Sequence, residues 1–156
     1  MLQKAQKLTS NAFMISIVDT DALIGLAKPD DPLHRRAENI QKRLRDSSVR
    51  FVLSPTTLAE FSLVGLQRLG VSGVKQTLAV ILRSDSIVES VSNGDTRAAF
   101  MLYEKQTTKD NSFCDCIVMV LATRLHADCI FSFDRGYTKN GFTLVEDFFK
   151  KREKRV

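Results

Sequence analysis

The sequence has few of the residues that build disulfide-stapled or zinc-binding proteins. It contains three cysteines, an odd number with no zinc-type pairing, and only two histidines in 156 residues. A disulfide framework or a zinc site is therefore not expected. The cysteines are predicted to be reduced and at least partly buried.

Several longer patterns are also missing. No apolar run is long enough to span a bilayer. The N-terminal segment makes a poor signal peptide, because its apolar stretch is brief and is interrupted by Ser16. Neither a GxGxxG motif nor a P-loop occurs, so the sequence gives no support for a nucleotide cofactor. We therefore expect a cytoplasmic protein that makes no use of a membrane.

The composition that remains is that of one globular domain. The hydrophobic fraction is 44% and the charged fraction is 26%, both ordinary for a folded chain. The net charge is +5, and the run KKREKR at 150–155 carries much of the excess. A basic tail attracts nucleic acid through its phosphates, although a solvated terminus is the simpler interpretation of the run by itself.

Strand and helix signals alternate along the chain. Strands are predicted at 13–18, 50–53, 86–91, 128–133 and 142–145. Helices are predicted at 20–27, 32–46, 55–70, 71–83, 93–105, 112–125 and at the C-terminus, and DRGYTKNG after the fourth strand is predicted to be a turn. This alternation favours an α/β fold, in which a mainly parallel sheet carries helices on both faces.

A few acidic residues have no basic neighbour in the sequence. Five of them lie more than four residues from any Lys or Arg: Asp19, Asp21, Glu60, Glu89 and Asp115. Asp134 has only the adjacent Arg135. An acid in an apolar segment needs a partner, since burying an unpaired carboxylate is costly. These acids are therefore candidates for a site.

Four of the acids fall where an α/β site would be built. Asp19 and Asp134 follow predicted strands, and the carboxyl ends of parallel strands are where ligands bind. Asp115 lies in the first turn of a helix. Glu60 lies inside a helix between apolar residues, so it should be at least partly buried.

Three of these four acids also have a simpler interpretation. Asp19 suits an N-cap, Asp115 completes a capping-box pattern with Ser112, and Asp134 suits a turn. Glu60 has no such role. Of the remaining acids, Asp21 is interpreted as a first-turn acid that favours the helix dipole, and Glu89 as an exposed strand residue.

If these acids converge, their mutual repulsion requires a cation. Because the ligands are all carboxylate oxygens with no histidine nearby, the favoured ion is Mg²⁺ or Mn²⁺. The usual chemistry of such a pocket is phosphoryl transfer. In a basic protein without a nucleotide-binding loop, the phosphate is expected to belong to a nucleic acid.

Four motifs in this order resemble those of PIN-domain ribonucleases. They are VDTDALIGL, SPTTLAEF, SFCDCIVMVLA and FSFDRGY, starting at positions 18, 54, 112 and 131. The chain is most similar to the VapC-like toxins of prokaryotic toxin–antitoxin pairs, from about residue 14 to residue 149. The resemblance implies a PIN-like three-layer α/β/α sandwich with a mainly parallel central sheet.

The resemblance also implies the role of each acid. Asp19, Asp115 and Asp134 would bind Mg²⁺ or Mn²⁺, and Glu60 would bind the metal or orient the attacking water. The reaction would be endonucleolytic cleavage of RNA such as tRNA, rRNA or mRNA.

Further residues are assigned supporting positions by the same resemblance. Thr20, Ser112 and Ser132 match small hydroxyl positions around the family's pocket, and Ser132 stands where the family often has threonine. Cys116 replaces the alanine that often follows the third acid, a change between small residues. Arg135 and Lys139 are candidates for guiding RNA to the pocket, with a solvated face as the simpler alternative.

The resemblance predicts the domain organisation and partners as well. Residues 1–13 are expected to form a dispensable extension, because Met14 opens the stretch that looks like a family start. Residues 14–149 would form the PIN domain and 150–156 a basic tail. Related toxins are commonly homodimers that an antitoxin inhibits.

Three other functions compete with the ribonuclease interpretation. A catalytically inactive PIN-like module that binds RNA or protein would have no use for four acids. A phosphate-receiver module would leave Glu60 without a role and would need a suitably placed lysine. A structure-specific DNA nuclease of the same superfamily would need insertions that this short chain lacks.

Overall fold

The computed structural model describes residues 13–154. The strands are β1 Ile15–Val18, β2 Arg50–Leu53, β3 Ile87–Val88 and β4 Cys129–Phe131. The helices are α1 Thr20–Ala27, α2 His34–Asp46, α3 Pro55–Arg83, α4 Asn93–Glu104, α5 Phe113–Arg124, α6 Gly136–Lys139 and α7 Val145–Glu153.

The predicted N-terminal extension and C-terminal tail fall at the two ends of the described range. All but the last residue of the predicted extension 1–13 lies outside the described residues. The predicted tail 150–156 begins inside α7, and its last two residues are also outside. Within the described range, no helix is both long and apolar enough to cross a membrane.

The four strands form one sheet in the order β3-β2-β1-β4, and every pair of neighbours is parallel. This confirms the predicted fold class. All four residues of β1 are buried, as expected of a central parallel strand with helices over both faces. Ile17 belongs to the core that includes α5, while Val18 belongs to the core that α1, α2, α3 and α7 form on the other face.

The strand order creates a crevice between β1 and β4. The chain runs outward from β1 through β2 to β3 and then returns to place β4 on the opposite side of β1. Such a reversal leaves an opening at the carboxyl ends of the two strands, where open α/β sheets bind ligands. Asp19 directly follows β1, and Ser132 directly follows β4.

Local capping explains where the helices around this crevice begin. The side chain of Asp19 accepts a hydrogen bond from the Thr20 amide at 2.8 Å and starts α1. Ser54 caps α3, with Pro55 in the first turn, where its missing N–H costs nothing. Gly70 adopts a φ of +70° and divides α3 into the two predicted helices.

Three predicted local elements differ in the structure. The predicted strand 142–145 does not form, because Leu144 makes only an isolated parallel bridge to Ile130 before α7 begins. The third strand is restricted to Ile87–Val88. The predicted turn after β4 contains the short helix Gly136–Lys139. All three lie near sheet edges, where tertiary contacts rather than local propensity decide pairing.

Candidate active site

Asp19 is the centre of the candidate site. Its side chain is 5% exposed. One carboxylate oxygen accepts from the Thr20 amide, and the other, Oδ2, accepts from the Ser132 hydroxyl at 3.1 Å and from the Tyr137 hydroxyl at 2.8 Å. Burial, followed by the negative charges of Asp21 and Asp115, raises the pKa of Asp19 to about 7. Asp19 is thus an N-cap, as the simpler interpretation proposed, and also a buried acid held in an electrostatically unfavourable position.

Asp115 faces Asp19 from the start of α5. It forms the predicted capping box, in which the Ser112 amide donates to Asp115 Oδ2 at 2.5 Å and the Asp115 amide donates to Ser112 Oγ at 3.1 Å. Its other oxygen, Oδ1, lies 3.2 Å from the Tyr137 hydroxyl. The cap therefore fixes Asp115 on the helix and leaves one carboxylate oxygen directed at the same hydroxyl that Asp19 contacts.

Tyr137 is the residue that joins the two acids, and the sequence interpretation gave it no role. It lies in α6 and is 1% exposed. Burial raises the pKa of its hydroxyl far above the ordinary value, and the charges of Asp19 and Asp115 raise that pKa further. The hydroxyl is therefore protonated and can donate. The sequence did contain a signal for Tyr137, because an aromatic residue with a hydroxyl group lies three positions after Asp134.

Glu60 approaches the pair from α3. It is half-buried, as predicted, and its Oε2 accepts a hydrogen bond from the Thr20 hydroxyl. Three of the acids affect the pKa of the nearby Cys114 thiol. Burial raises the pKa of this thiol to about 11, with further contributions from the charges of Glu60, Asp115 and Asp19. These three acids therefore lie around one region of the molecule, and the thiol is neutral.

Asp134 is placed differently from the other three predicted acids. It is exposed, and its Oδ1 accepts from the Gly136 amide at 2.7 Å, as the turn interpretation proposed. Its own amide donates to Ser132 Oγ at 3.1 Å. Asp134 thus lies at the rim of the crevice, connected to Asp19 through Ser132.

Asp21 is closer to the site than the sequence interpretation placed it. It lies in the first turn of α1 as predicted, but its Oδ2 accepts from the Phe133 amide at 2.8 Å and lies 3.0 Å from the Ser132 hydroxyl. The single proton of that hydroxyl can be donated to Asp21 or to Asp19. Asp21 Oδ1 is buried and has no hydrogen-bond partner among the described residues. Burial raises the pKa of Asp21, and the charge of Asp134 adds to that effect. Asp21 therefore ties the segment after β4 to α1.

The prediction for Glu89 was wrong. Its side chain is 17% exposed and pairs with Arg124 at 3.1 Å. Arg124 also pairs with the buried Asp95 at 3.0 Å. A search for Lys or Arg within four residues cannot find this pair, because Arg124 is 35 residues away along the chain.

The site acids, in contrast, lack a cationic partner. In the part of the chain that is described, Asp19, Glu60 and Asp115 form no salt bridge to Lys, Arg or His. Over the same residues, no group of three His, Cys, Asp or Glu side chains could hold one metal ion. Asp19 and Asp115 nevertheless supply two carboxylates directed at one point. That set fits Mg²⁺, which proteins commonly bind through one or two carboxylates, with waters and substrate phosphates completing the coordination.

The two basic residues predicted to guide RNA lie on the segment that carries Tyr137, with Arg135 just before α6 and Lys139 at its end. Both are exposed. Arg135 pairs with Asp147 at 2.9 Å, and Lys139 lies 3.6 Å from Asp110. Exposed pairs of this kind contribute little to stability, so both cations can exchange these partners for phosphate.

An open cavity lies away from the acids. It has a volume of about 830 Å³ and opens between α2, β2 and the C-terminal end of α3. Its lining includes Phe51, Val80 and Ile81 but none of the four predicted site acids. The size of a cavity therefore does not by itself identify the functional site.

Comparison with known proteins agrees with the fold and the order of the motifs. The family model of the PIN domain matches residues 16–142. The structure is similar to that of the Mycobacterium tuberculosis toxin VapC20, described as cleaving the sarcin-ricin loop, with a TM-score of 0.73 and 22% sequence identity over 83% of this chain and 96% of that one. No curated protein sequence matches the chain significantly. The match to the family model covers most of the chain, which therefore belongs to the PIN domain family.

Proposed function

We propose that this protein is an endoribonuclease that hydrolyses RNA phosphodiester bonds with Mg²⁺ or Mn²⁺. The observation that carries the proposal is the meeting of Asp19 and Asp115 at one hydroxyl, without a cationic partner in residues 13–154. The negative charge of Asp115 helps to raise the pKa of Asp19, and a divalent cation would relieve that repulsion. A bound divalent cation polarises a phosphate oxygen and lowers the pKa of a coordinated water.

The positions of the four acids suggest a separate role for each in binding the metal and the attacking water. Asp19 and Asp115 are proposed as the direct ligands, because they come from β1 and α5 and face each other. Glu60, held by Thr20, is proposed to bind the metal or to orient the attacking water. Asp134, which is connected to Asp19 through Ser132, is proposed as a further metal ligand.

The substrate class is proposed from charge and family together. The protein has a net charge of +5, and the exposed Arg135 and Lys139 lie on the same segment as Asp134 and Tyr137, so they can attract the phosphates of a nucleic acid. The similar VapC20 is described as a toxin that cleaves an RNA loop. We accordingly propose that this chain acts on structured RNA such as tRNA or rRNA in the cytoplasm, as the toxin of a toxin–antitoxin pair.

The test is cleavage of a mixed tRNA and rRNA pool in Mg²⁺ or Mn²⁺. Wild type is compared with Asp19→Asn, with an EDTA control, and with Asp46→Asn, which changes an exposed acid at the end of α2. Asp19→Asn should reduce the rate by on the order of 100-fold or more, because it removes charge stabilisation that the reaction requires. Asp46→Asn should cleave like wild type.

The alternative, a PIN-like module that binds RNA or protein without cutting, makes opposite predictions. RNA binding without cleavage, equal for wild type and Asp19→Asn and insensitive to EDTA, would support it. Wild type that binds no Mn²⁺ in a calorimetric titration would refute the metal-dependent proposal.

The partners are proposed on the same basis. A cognate antitoxin and a second copy of the chain are the expected partners, and Leu66 on α3 offers one exposed apolar side chain for such contacts at 48% exposure. Light scattering measures the assembly state directly. Co-expression with the product of an adjacent small gene tests for the antitoxin, which should co-purify and suppress cleavage.

A further inference from the structure

Tyr137 is the only residue in 13–154 with a side-chain polar atom within hydrogen-bond distance of both Asp19 and Asp115. It reaches them from α6, so three separate elements meet at its hydroxyl oxygen. The distances are 2.8 Å to Asp19 Oδ2 and 3.2 Å to Asp115 Oδ1. A tyrosine hydroxyl has a single proton, so it bonds the nearer acid and places the other within reach of the same oxygen.

The tyrosine ring is itself held rigidly. It is buried in the core with Val118 and Met119 of α5 and Leu144. The α6 helix that carries it begins at Gly136, where an added Cβ would lie 2.7 Å from Asn111 Oδ1. Because ring and helix are both constrained, the hydroxyl is a fixed point rather than a mobile substituent.

The two carboxylates are restrained unequally without this hydroxyl. Asp19 is buried and keeps its bonds to the Thr20 amide and to Ser132. Asp115 is less buried, and its Oδ1 contacts Tyr137, while its Oδ2 is held by the Ser112 amide. Repulsion between two nearby carboxylates would therefore turn Asp115 Oδ1 away from Asp19.

We infer that Tyr137 is a positioning residue, whose hydroxyl holds the carboxylates of Asp19 and Asp115 at a separation from which both can bind one divalent cation. The inference rests on the proposed function. It goes beyond that function by assigning the organisation of the site to a residue that need not touch metal or RNA. Hydrogen-bond partners of metal ligands typically contribute 10–100-fold to metal affinity or activity.

The experiment measures Mn²⁺ binding by calorimetry to the full chain, with no RNA present. Tyr137→Phe keeps the ring and removes only the hydroxyl. Tyr103→Phe is the matched control, because it changes the only other tyrosine, which is 46% exposed. We expect Tyr137→Phe to bind Mn²⁺ about tenfold more weakly than wild type, and Tyr103→Phe to bind like wild type.

A second measurement uses the absence of tryptophan. Since the chain has no Trp and two Tyr, the Tyr103→Phe protein has Tyr137 as its only strong fluorophore. Titration with Mg²⁺ should change this emission with the same midpoint as calorimetric binding, and EDTA should reverse the change. This measurement remains available if Tyr137→Phe folds poorly.

The outcomes separate the inference from the proposed function. Wild type that binds Mn²⁺ while Tyr137→Phe binds it equally well or more tightly would overturn the inference alone; tighter binding would mean that the hydroxyl competes with the cation. A Tyr137 fluorescence that does not change when Mg²⁺ is added would also overturn the inference. Wild type that binds no Mn²⁺ would overturn both.

Discussion

Replacing Asp19 with asparagine should make the metal-free protein more stable while abolishing its activity. The carboxylate is buried, and the pKa of Asp19 is raised from its ordinary value of 3.8 to about 7 by burial and by Asp21 and Asp115. Its ionised form therefore destabilises the native state. Asparagine is an equally good N-cap. With its oxygen on the Thr20 amide, its Nδ2 would donate to the hydroxyl oxygens of Ser132 and Tyr137 instead of accepting from them.

The sign and size of this stability difference follow from the number of protons that the native and unfolded states bind. Between pH 3.8 and about 7 the native state holds a proton that the unfolded chain has lost, so the stability of wild type falls as pH rises. A pKa change of this size corresponds to on the order of 4 kcal/mol above pH 7, at about 1.4 kcal/mol per tenfold change in the ionisation constant. We expect a measured difference of roughly 1–3 kcal/mol, because the native site can admit water or relax.

The assay is thermal unfolding in EDTA at several pH values between 5 and 8. Asp19→Asn should melt roughly 3–10 °C above wild type at pH 8, and the difference should shrink toward pH 5. Added Mg²⁺ should raise the melting temperature of wild type more than that of the variant, since a ligand stabilises the state that binds it.

The exposed acid Asp46 supplies the control for this prediction. Asp46→Asn should melt within about 1 °C of wild type at each pH, because exposed substitutions change stability little. An Asp19→Asn protein that is less stable than wild type at pH 8, or a difference that does not change with pH, would refute the electrostatic account of Asp19.

Three further predictions concern the scaffold around the site. Arg124→Ala should lower the free energy of unfolding by roughly 1–3 kcal/mol in urea titrations, because it leaves the buried Asp95 without its cation; a change below about 0.5 kcal/mol would contradict this. Ser112→Ala should cost about 1 kcal/mol through the lost cap of α5 and should also slow cleavage, whereas full activity would argue against a role for the cap in the site. Gly136→Ala should destabilise by about 1 kcal/mol, because the new Cβ would meet Asn111 Oδ1 at 2.7 Å and Asp134 Oδ1 at 3.1 Å; an unchanged melting temperature would show that these two side chains move aside without cost.

The sequence by itself predicted much of the local structure around the site, although not the short helix that carries Tyr137. The β-rich run ending at Asp19 predicted β1, and Ser54-Pro55 predicted the start of α3, because strand propensity and capping depend on neighbouring residues. The interior position of Glu60 likewise predicted its partial burial, since helical periodicity determines which face is packed.

The acids without basic neighbours were a useful but incomplete signal. The test selected Asp19, Glu60 and Asp115, which lie around one region of the folded chain. It also selected Glu89, whose partner Arg124 lies on another helix. A window of four residues detects only the partners that one helical turn can supply, so it cannot detect an ion pair that the fold creates.

Only the tertiary structure decided how the acids are connected. The return of the chain to place β4 beside β1 brings Tyr137 between Asp19 and Asp115, at sequence separations of 118 and 22 residues. The same strand order buries Asp21 against Ser132 and leaves Asp134 at the rim. Local sequence determines which residues can start a helix or end a strand, but the distance between two such ends depends on strand order and packing across the whole sheet.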